Sequence, residues 1–145
     1  MEHLQDIQWC IGYNPLEFAT KKNKKLTQKD WNAVVFPARE SQELVKFSLL
    51  LNDNYLFFVT RYMPRPVTVK DFLSFVYKFY QEPLEPDLID QAFEDADDWK
   101  EMVLQEIDKN ELIKFNVFTD TCEPDFCGLQ FDDDTESYIV HIGPE

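Results

Sequence analysis

Cys122 and Cys127, with four residues between them, fall within the spacing of zinc ligand pairs. His141 lies on a stretch that could return beside them, and Cys10 could supply a fourth ligand. A tetrahedral structural site ordinarily presents two tight ligand pairs, whereas this chain offers one. Thiols that are buried or half-buried as small apolar groups account for the same residues. The expectation is therefore a fold that needs no structural metal, with Cys10, Cys122, Cys127 and His141 as the ligand set to test.

Carboxylates offer a second chemistry. Pro86-Asp87 followed by Asp98-Trp99-Lys100 has the outline of a metal-dependent nuclease site. On one continuous helix, eleven residues at about 1.5 Å each would hold Asp87 and Asp98 roughly 16 Å apart. A single Mg²⁺ with ligands at about 2.1 Å cannot bridge that gap, unless the helix breaks near Asp95. Lys100 would also lie about 200° round such a helix from Asp98. For nucleophilic catalysis the chain has Ser41, Ser48, Ser74 and Ser137, none in a nucleophile-elbow context. Cys127 with His141 is the one arrangement worth naming as a Cys–His pair, and nothing local would depress the thiol pKa. Gly12, Gly128 and Gly143 are the only glycines. Phosphate-cradling loops need several close together, so P-loop and dinucleotide-fingerprint chemistry is excluded.

The charge distribution is the strongest functional signal. The chain of 145 residues carries a net charge of −14. Residues 1–80 hold eleven Lys/Arg against eight Asp/Glu, or +3, and residues 81–145 hold three Lys against twenty Asp/Glu, or −17. Asp87, Asp90, Glu94, Asp97, Asp98, Glu101 and Asp108 recur at helical spacing, opposite an apolar stripe. Like charges one turn apart repel by a few tenths of a kcal/mol, so a helix does not need them for stability. They make either a solvated face that keeps the protein soluble or a docking surface for a basic partner. The acidity disfavours direct binding of nucleic acid or of anionic membrane. A duplex mimic, with acids about 5.4 Å apart along the helix, is compatible with it.

The element that must position all of this is the stretch from Val67 to Pro83. Thr68 and Asp71 have the spacing of a capping box, and Val67 and Phe72 that of a hydrophobic staple. Pro66 blocks earlier initiation, and Pro83 stops the helix. Lys70, Ser74, Lys78 and Gln81 form one narrow polar stripe, and every other face is apolar. The pattern predicts a central core helix. Its strongest test in sequence terms is Phe75→Ala or Val76→Asp.

Around it, Ile7, Trp9 and Ile11 alternate as a short strand, and Asn14-Pro15 reads as a turn. Lys21-Lys22-Asn23-Lys24-Lys25 reads as an exposed loop whose Lys-Lys-x-Lys pattern could serve nuclear import. Trp31–Phe36 is β-prone up to Pro37, and Leu44–Leu51 with Tyr55–Tyr62 makes a hairpin about Asn52-Asp53-Asn54. A second helix starts at Pro86 and carries an apolar face to Lys109, with Asp95–Asp98 as its weakest point and Asn110 as its stop. Ile113, Phe115 and Val117 alternate as a strand, and Asp120–Gly128 reads as a loop. Leu129–Phe131 and Tyr138–Ile142 form a final hairpin across Asp132–Glu136. The sum is one α+β domain over 1–145: a mainly antiparallel sheet, a central apolar helix and a second, acidic amphipathic helix.

The run Val67-Thr68-Val69-Lys70-Asp71-Phe72-Leu73, followed by Phe79-Tyr80-Gln81-Glu82-Pro83-Leu84, resembles a segment of small proteins of nucleocytoplasmic large DNA viruses, in particular marseillevirus-like giant viruses. The resemblance covers about twenty residues. It implies a viral accessory or virion protein, in the host cytoplasm or the particle, and brings no catalytic residue with it. Three cysteines, no apolar leader and no run of the roughly 20 apolar residues needed to span a membrane lead to the same intracellular expectation. The functional expectation is a non-enzymatic protein, without cofactor, that binds another protein, with a basic one as the best electrostatic match. The alternative is a small metal-dependent enzyme using carboxylate or Cys/His groups of the second half.

Overall fold

The computed structural model of the chain describes residues 2–51, 57–118 and 124–143. Its main sheet has four strands: β5 (Leu44–Leu50), β6 (Phe58–Pro64), β8 (Asp125–Asp132) and β9 (Ser137–Gly143). Their order is β6-β5-β9-β8. β5 pairs antiparallel with β6, from Leu44 opposite Pro64 to Leu50 opposite Phe58. β8 and β9 form the second hairpin, from Asp132 opposite Ser137 to Asp125 opposite Gly143, with an irregularity between Phe126 and Gly128. The two hairpins join through β5 and β9, which run parallel with Phe47 opposite Tyr138. The architecture is α+β, as expected.

Helix α3 (Val69–Gln81) lies against one face of this sheet. Both halves of its capping box are made. Thr68 Oγ1 accepts from Asp71 N at 3.1 Å, and Asp71 Oδ2 accepts from Thr68 N at 3.1 Å. Glu82 is the C-cap, immediately before Pro83. Val69, Phe72, Leu73, Val76, Phe79 and Tyr80 are buried. The Phe47 ring of β5 meets Phe72 and Phe75 at 5.5 Å each, and Phe72 also meets Phe126 of β8 at 5.7 Å. Tyr80 donates its hydroxyl to Leu50 O at 2.7 Å. Phe75 and Tyr77 are only half-buried, and Asp71 is exposed beside Lys70, so the open side is wider than the polar stripe alone implies.

Smaller elements complete the frame. β1 (Ile7–Gln8), β2 (Thr20–Lys21) and β3 (Lys24–Lys25) form a three-stranded sheet. β4 (Val34–Phe36) pairs with β7 (Val67–Thr68), which leads into α3. Short helices α1 (Pro15–Phe18) and α2 (Gln28–Asn32) pack near α3. Leu4, Trp9, Ile11, Phe36, Phe47, Phe72, Phe93, Phe118 and Ile142 all belong to one buried cluster, so both ends of the chain share a core.

Several sequence expectations are corrected. The Ile7–Ile11 strand is reduced to Ile7–Gln8, although Ile7, Trp9 and Ile11 are all buried. Asn14 does not make a simple turn: its side chain accepts from Leu16 N and opens α1. The lysine loop is a hairpin whose tip, Lys22-Asn23, has φ of 53° and 65°. The β-prone run Trp31–Phe36 begins as helix, because Thr27 and Asp30 make a second capping box and carry α2 to Asn32. Residues 125–128 belong to β8 rather than to a loop. The hairpin tip Asn52–Asn54 and residues 119–123 lie outside the described residues.

The two largest corrections bear on function. The second helix is not continuous. A 3₁₀ turn at Pro86–Leu88 runs into α4 (Ile89–Ala92), the chain reverses at Asp95 with φ 60°, and α5 (Asp97–Glu106) follows. α5 ends four residues short of Asn110. The expected strand 113–117 is instead a 3₁₀ turn, Lys114–Val117. Alternation would have placed Lys114 outward, yet it is 1% exposed. Phe115 from this turn lies so close to Gly12 that a Cβ there would collide with its ring.

Candidate functional site

Seven carboxylates were expected to share one helical face. All seven are exposed, but they do not lie on one helix. Asp87 is in the 3₁₀ turn, Asp90 in α4, Glu94 in the reversal, Asp97, Asp98 and Glu101 in α5, and Asp108 beyond it. At about 100° per residue, Asp97, Asp98 and Glu101 stay within one third of the circumference of α5, opposite Trp99 and Val103. Regular phosphate-like spacing depended on an unbroken helix, and the break at Asp95 removes it.

The break also changes the pairing of these charges. It brings Lys100 back to Asp90, with Lys100 Nζ donating to Asp90 Oδ1 at 2.8 Å. That hydrogen bond, with the charge of Lys100, holds the Asp90 carboxyl below its usual range. In return, the bond from Asp90 raises the Lys100 pKa. Asp90 is open to water and Lys100 half-buried, so the pair orients the segment more than it stabilises it. It also occupies the lysine of the nuclease-like outline.

α5 lacks a side-chain cap: Ala96 stands at its N-cap position, and Asp97 and Asp98 occupy its first turn. Carboxylates there complement the positive end of the helix dipole. Its inner side is anchored by buried Val103 and by Trp99, whose Nε1 donates to Asn116 O at 3.2 Å. Met102 and Leu104 remain exposed, Met102 by 55%. A groove of about 330 Å³ runs alongside, with Tyr13, Trp99, Val103, Ile107 and Phe115 as apolar walls and Glu106 at its rim. The segment thus presents carboxylates and uncovered apolar surface together.

Of the Cys/His candidates, Cys10, Cys127 and His141 are among the described residues. The Cys10 backbone pairs with that of Asp125 in an isolated antiparallel bridge, while His141 Nε2 shares a hydrogen bond with Gln130 Oε1 at 2.9 Å. Cys127 Sγ faces the carbonyls of Asp125 and Gly143 at 3.4 and 3.5 Å. Cys122 lies outside the described residues. Among the described residues no three His, Cys, Asp or Glu side chains are grouped to hold a metal ion. Two of the serines do meet. Ser48 Oγ and Ser137 Oγ lie 2.7 Å apart, Ser137 Oγ lies 2.7 Å from Thr135 Oγ1, and Thr135 donates to Asp132 at 2.8 Å. Ser48 and Ser137 are buried, so this chain of hydroxyls ties the parallel junction rather than facing a substrate.

The polar centre that sequence reading missed is around Lys114. Its Nζ donates to Glu82 Oε1 and to Pro83 O, each at 3.0 Å, and lies 3.7 Å from Glu85. The Phe79 ring is 5.3 Å away, and Arg61 reaches the same Glu82 oxygen at 3.3 Å. Two hydrogen bonds and the nearby Glu85 charge hold the ammonium, so this is a latch at the exit of α3. The only sequence signal for it was a lone lysine within an apolar run.

No family model matches this sequence, and no curated protein or solved structure matches it. No helix among the described residues is long and apolar enough to cross a membrane.

Proposed function

We propose that the chain is a non-enzymatic, acidic protein-binding protein whose partner surface centres on α5 and which meets a basic partner. The observation that carries this reading is the joint exposure of Asp97, Asp98 and Glu101 with Met102 and Leu104 on one short helix. A solubility device needs carboxylates but not uncovered Met and Leu. A docking surface uses both, apolar groups for affinity and charges for encounter and register. The resemblance of the Val67–Leu84 segment to giant-virus proteins supports placing this activity in an accessory or virion protein of such a virus.

The test is fluorescence anisotropy with a labelled Lys/Arg-rich peptide bearing one aromatic residue, against a Glu-rich control. Binding should weaken steeply as the Debye length falls from about 10 Å at 0.1 M salt to about 3 Å at 1 M. It should be lost when Asp98 and Glu101 become Asn and Gln, and weakened when Met102 becomes Ser. Salt-independent binding, or binding indifferent to these changes, would reduce the acidic segment to a solubility device.

A further inference from the structure

The chain has 28 Asp and Glu residues, yet three of its cations gather at one end of the sheet without an ion-pair partner among the described residues. Arg39, Lys46 and Arg65 line a cleft of about 500 Å³. None of them is among the ion pairs of the described residues, which use Arg61, Lys100 and Lys114. Their hydrogen bonds go to neutral acceptors. Lys46 Nζ donates to Thr135 O at 2.9 Å, Arg39 reaches Gln42 Oε1 at 3.5 Å, and Arg65 donates to Pro37 O at 3.1 Å. Arg65 Nε is buried and has no acceptor among the described residues. The Arg65 guanidinium is steadied over the Phe36 ring, 5.6 Å from its centroid.

An oxyanion in the cleft can accept from the terminal guanidinium nitrogens of Arg39 and Arg65, while the buried Arg65 Nε lies out of its reach. Guanidinium groups match the planar oxygens of carboxylates and also bind phosphate. The rest of the cleft separates these ligands. Leu44 and Phe131, 56% and 49% exposed, offer an apolar wall beside Tyr138. Asp133 and Glu136 also line it and repel a dianion more strongly than a monoanion.

We propose that this cleft binds a small apolar carboxylate, its oxygens held by Arg65 and Arg39 with Lys46 nearby and its apolar body on Leu44 and Phe131. The site lies on other elements than α5 and does not depend on the partner surface proposed there. Phenylacetate, phenylacetamide and inorganic phosphate are the probes, titrated while the resonances of Phe131 and Tyr138 are followed by NMR. Phenylacetate should saturate, and the amide should bind at least tenfold more weakly. Arg65→Gln and, separately, Arg39→Gln should each weaken phenylacetate severalfold. Arg39 is exposed, so its variant tests the site even if Arg65→Gln disturbs the fold. Glu136→Gln should tighten binding two- to threefold by removing a like charge. Equal binding of acid and amide, indifference to Arg39→Gln, or tighter binding of phosphate would each overturn the carboxylate site.

Discussion

Helix α3 and the Ile89–Glu106 segment lie close together in sequence and are built on opposite terms. α3 is opened by a reciprocal Thr68–Asp71 cap, closed by Glu82-Pro83, and buried along Phe72, Leu73, Val76 and Tyr80. Neither α4 nor α5 has a side-chain cap, and the chain between them passes through a left-handed Asp95. Local capping and burial agree in the first region, so one continuous helix results. In the second, repulsion among carboxylates works against an apolar stripe, and the helix divides at the point where four of six residues, Glu94 to Trp99, are acidic. A helix with little packing at stake is free to present its side chains to something else.

The sharpest way to break this contrast is to empty the core under α3. Phe72→Ala should destabilise the protein by about 3–5 kcal/mol in urea unfolding, because Phe72 is fully buried between Phe47 and Phe126. Phe75→Ala should cost distinctly less, since Phe75 is half-buried. Equal costs would mean that α3 is not seated as described. Next comes the latch at its exit. Lys114→Met should cost about 2 kcal/mol, less than a fully buried pair, because Glu82 is partly exposed and retains Arg61. A neutral or stabilising result would show that the charge serves something other than the fold.

Smaller effects sharpen the comparison at the ends of the helices. Thr68→Ala should cost about 1 kcal/mol, whereas Asp98→Asn with Glu101→Gln should stay within about 0.5 kcal/mol of the parent. Burial raises the Tyr80 pKa well above its ordinary value. The folded state therefore favours the neutral phenol, and stability should fall as pH rises past about 10, where the unfolded chain ionises. Tyr80→Phe should flatten that alkaline limb; an unchanged limb would place the titration elsewhere. Smallest of all is the Asp90–Lys100 pair. A lowered Asp90 pKa contributes above about pH 4 and is lost as pH falls through the folded value. A raised Lys100 pKa contributes below about pH 10 and is lost on rising through its folded value. Between these limits Asp90→Asn should lower the melting temperature only slightly while increasing hydrogen exchange at the Asp95 reversal.

The regions differed in how much of them could be read in advance. Thr68, Asp71, Val67 and Pro83 specify α3 through neighbours in sequence, and the two hairpins follow from alternation closed by turn residues. The box at Thr27 and Asp30 is equally local, and the helix it opens runs into the β-prone stretch Trp31–Phe36. Lys114 was not legible, because its burial depends on Glu82, 32 residues away. The same holds for Arg39, Lys46 and Arg65, which share a cleft only because three separate elements end beside it. The acids were visible as a charge excess, and their division among a 3₁₀ turn, two short helices and the chain between and beyond them was not.

The parallel contact between β5 and β9 has a consequence for how the molecule comes into being. Phe47 meets Tyr138 across 91 intervening steps of chain, and the same junction carries Ser48 against Ser137. During synthesis, β5 and β6 can zip together early, but the inner edge of β5 stays open until residues 137–143 have emerged. A nascent chain therefore carries an apolar strand edge through most of its elongation, the kind of template that recruits neighbouring chains. High separation between paired residues also slows the final closure. Under this topology, yield at high expression should be limited by aggregation before completion rather than by the stability of the finished fold, and slower initiation should recover more protein than lower temperature applied after folding.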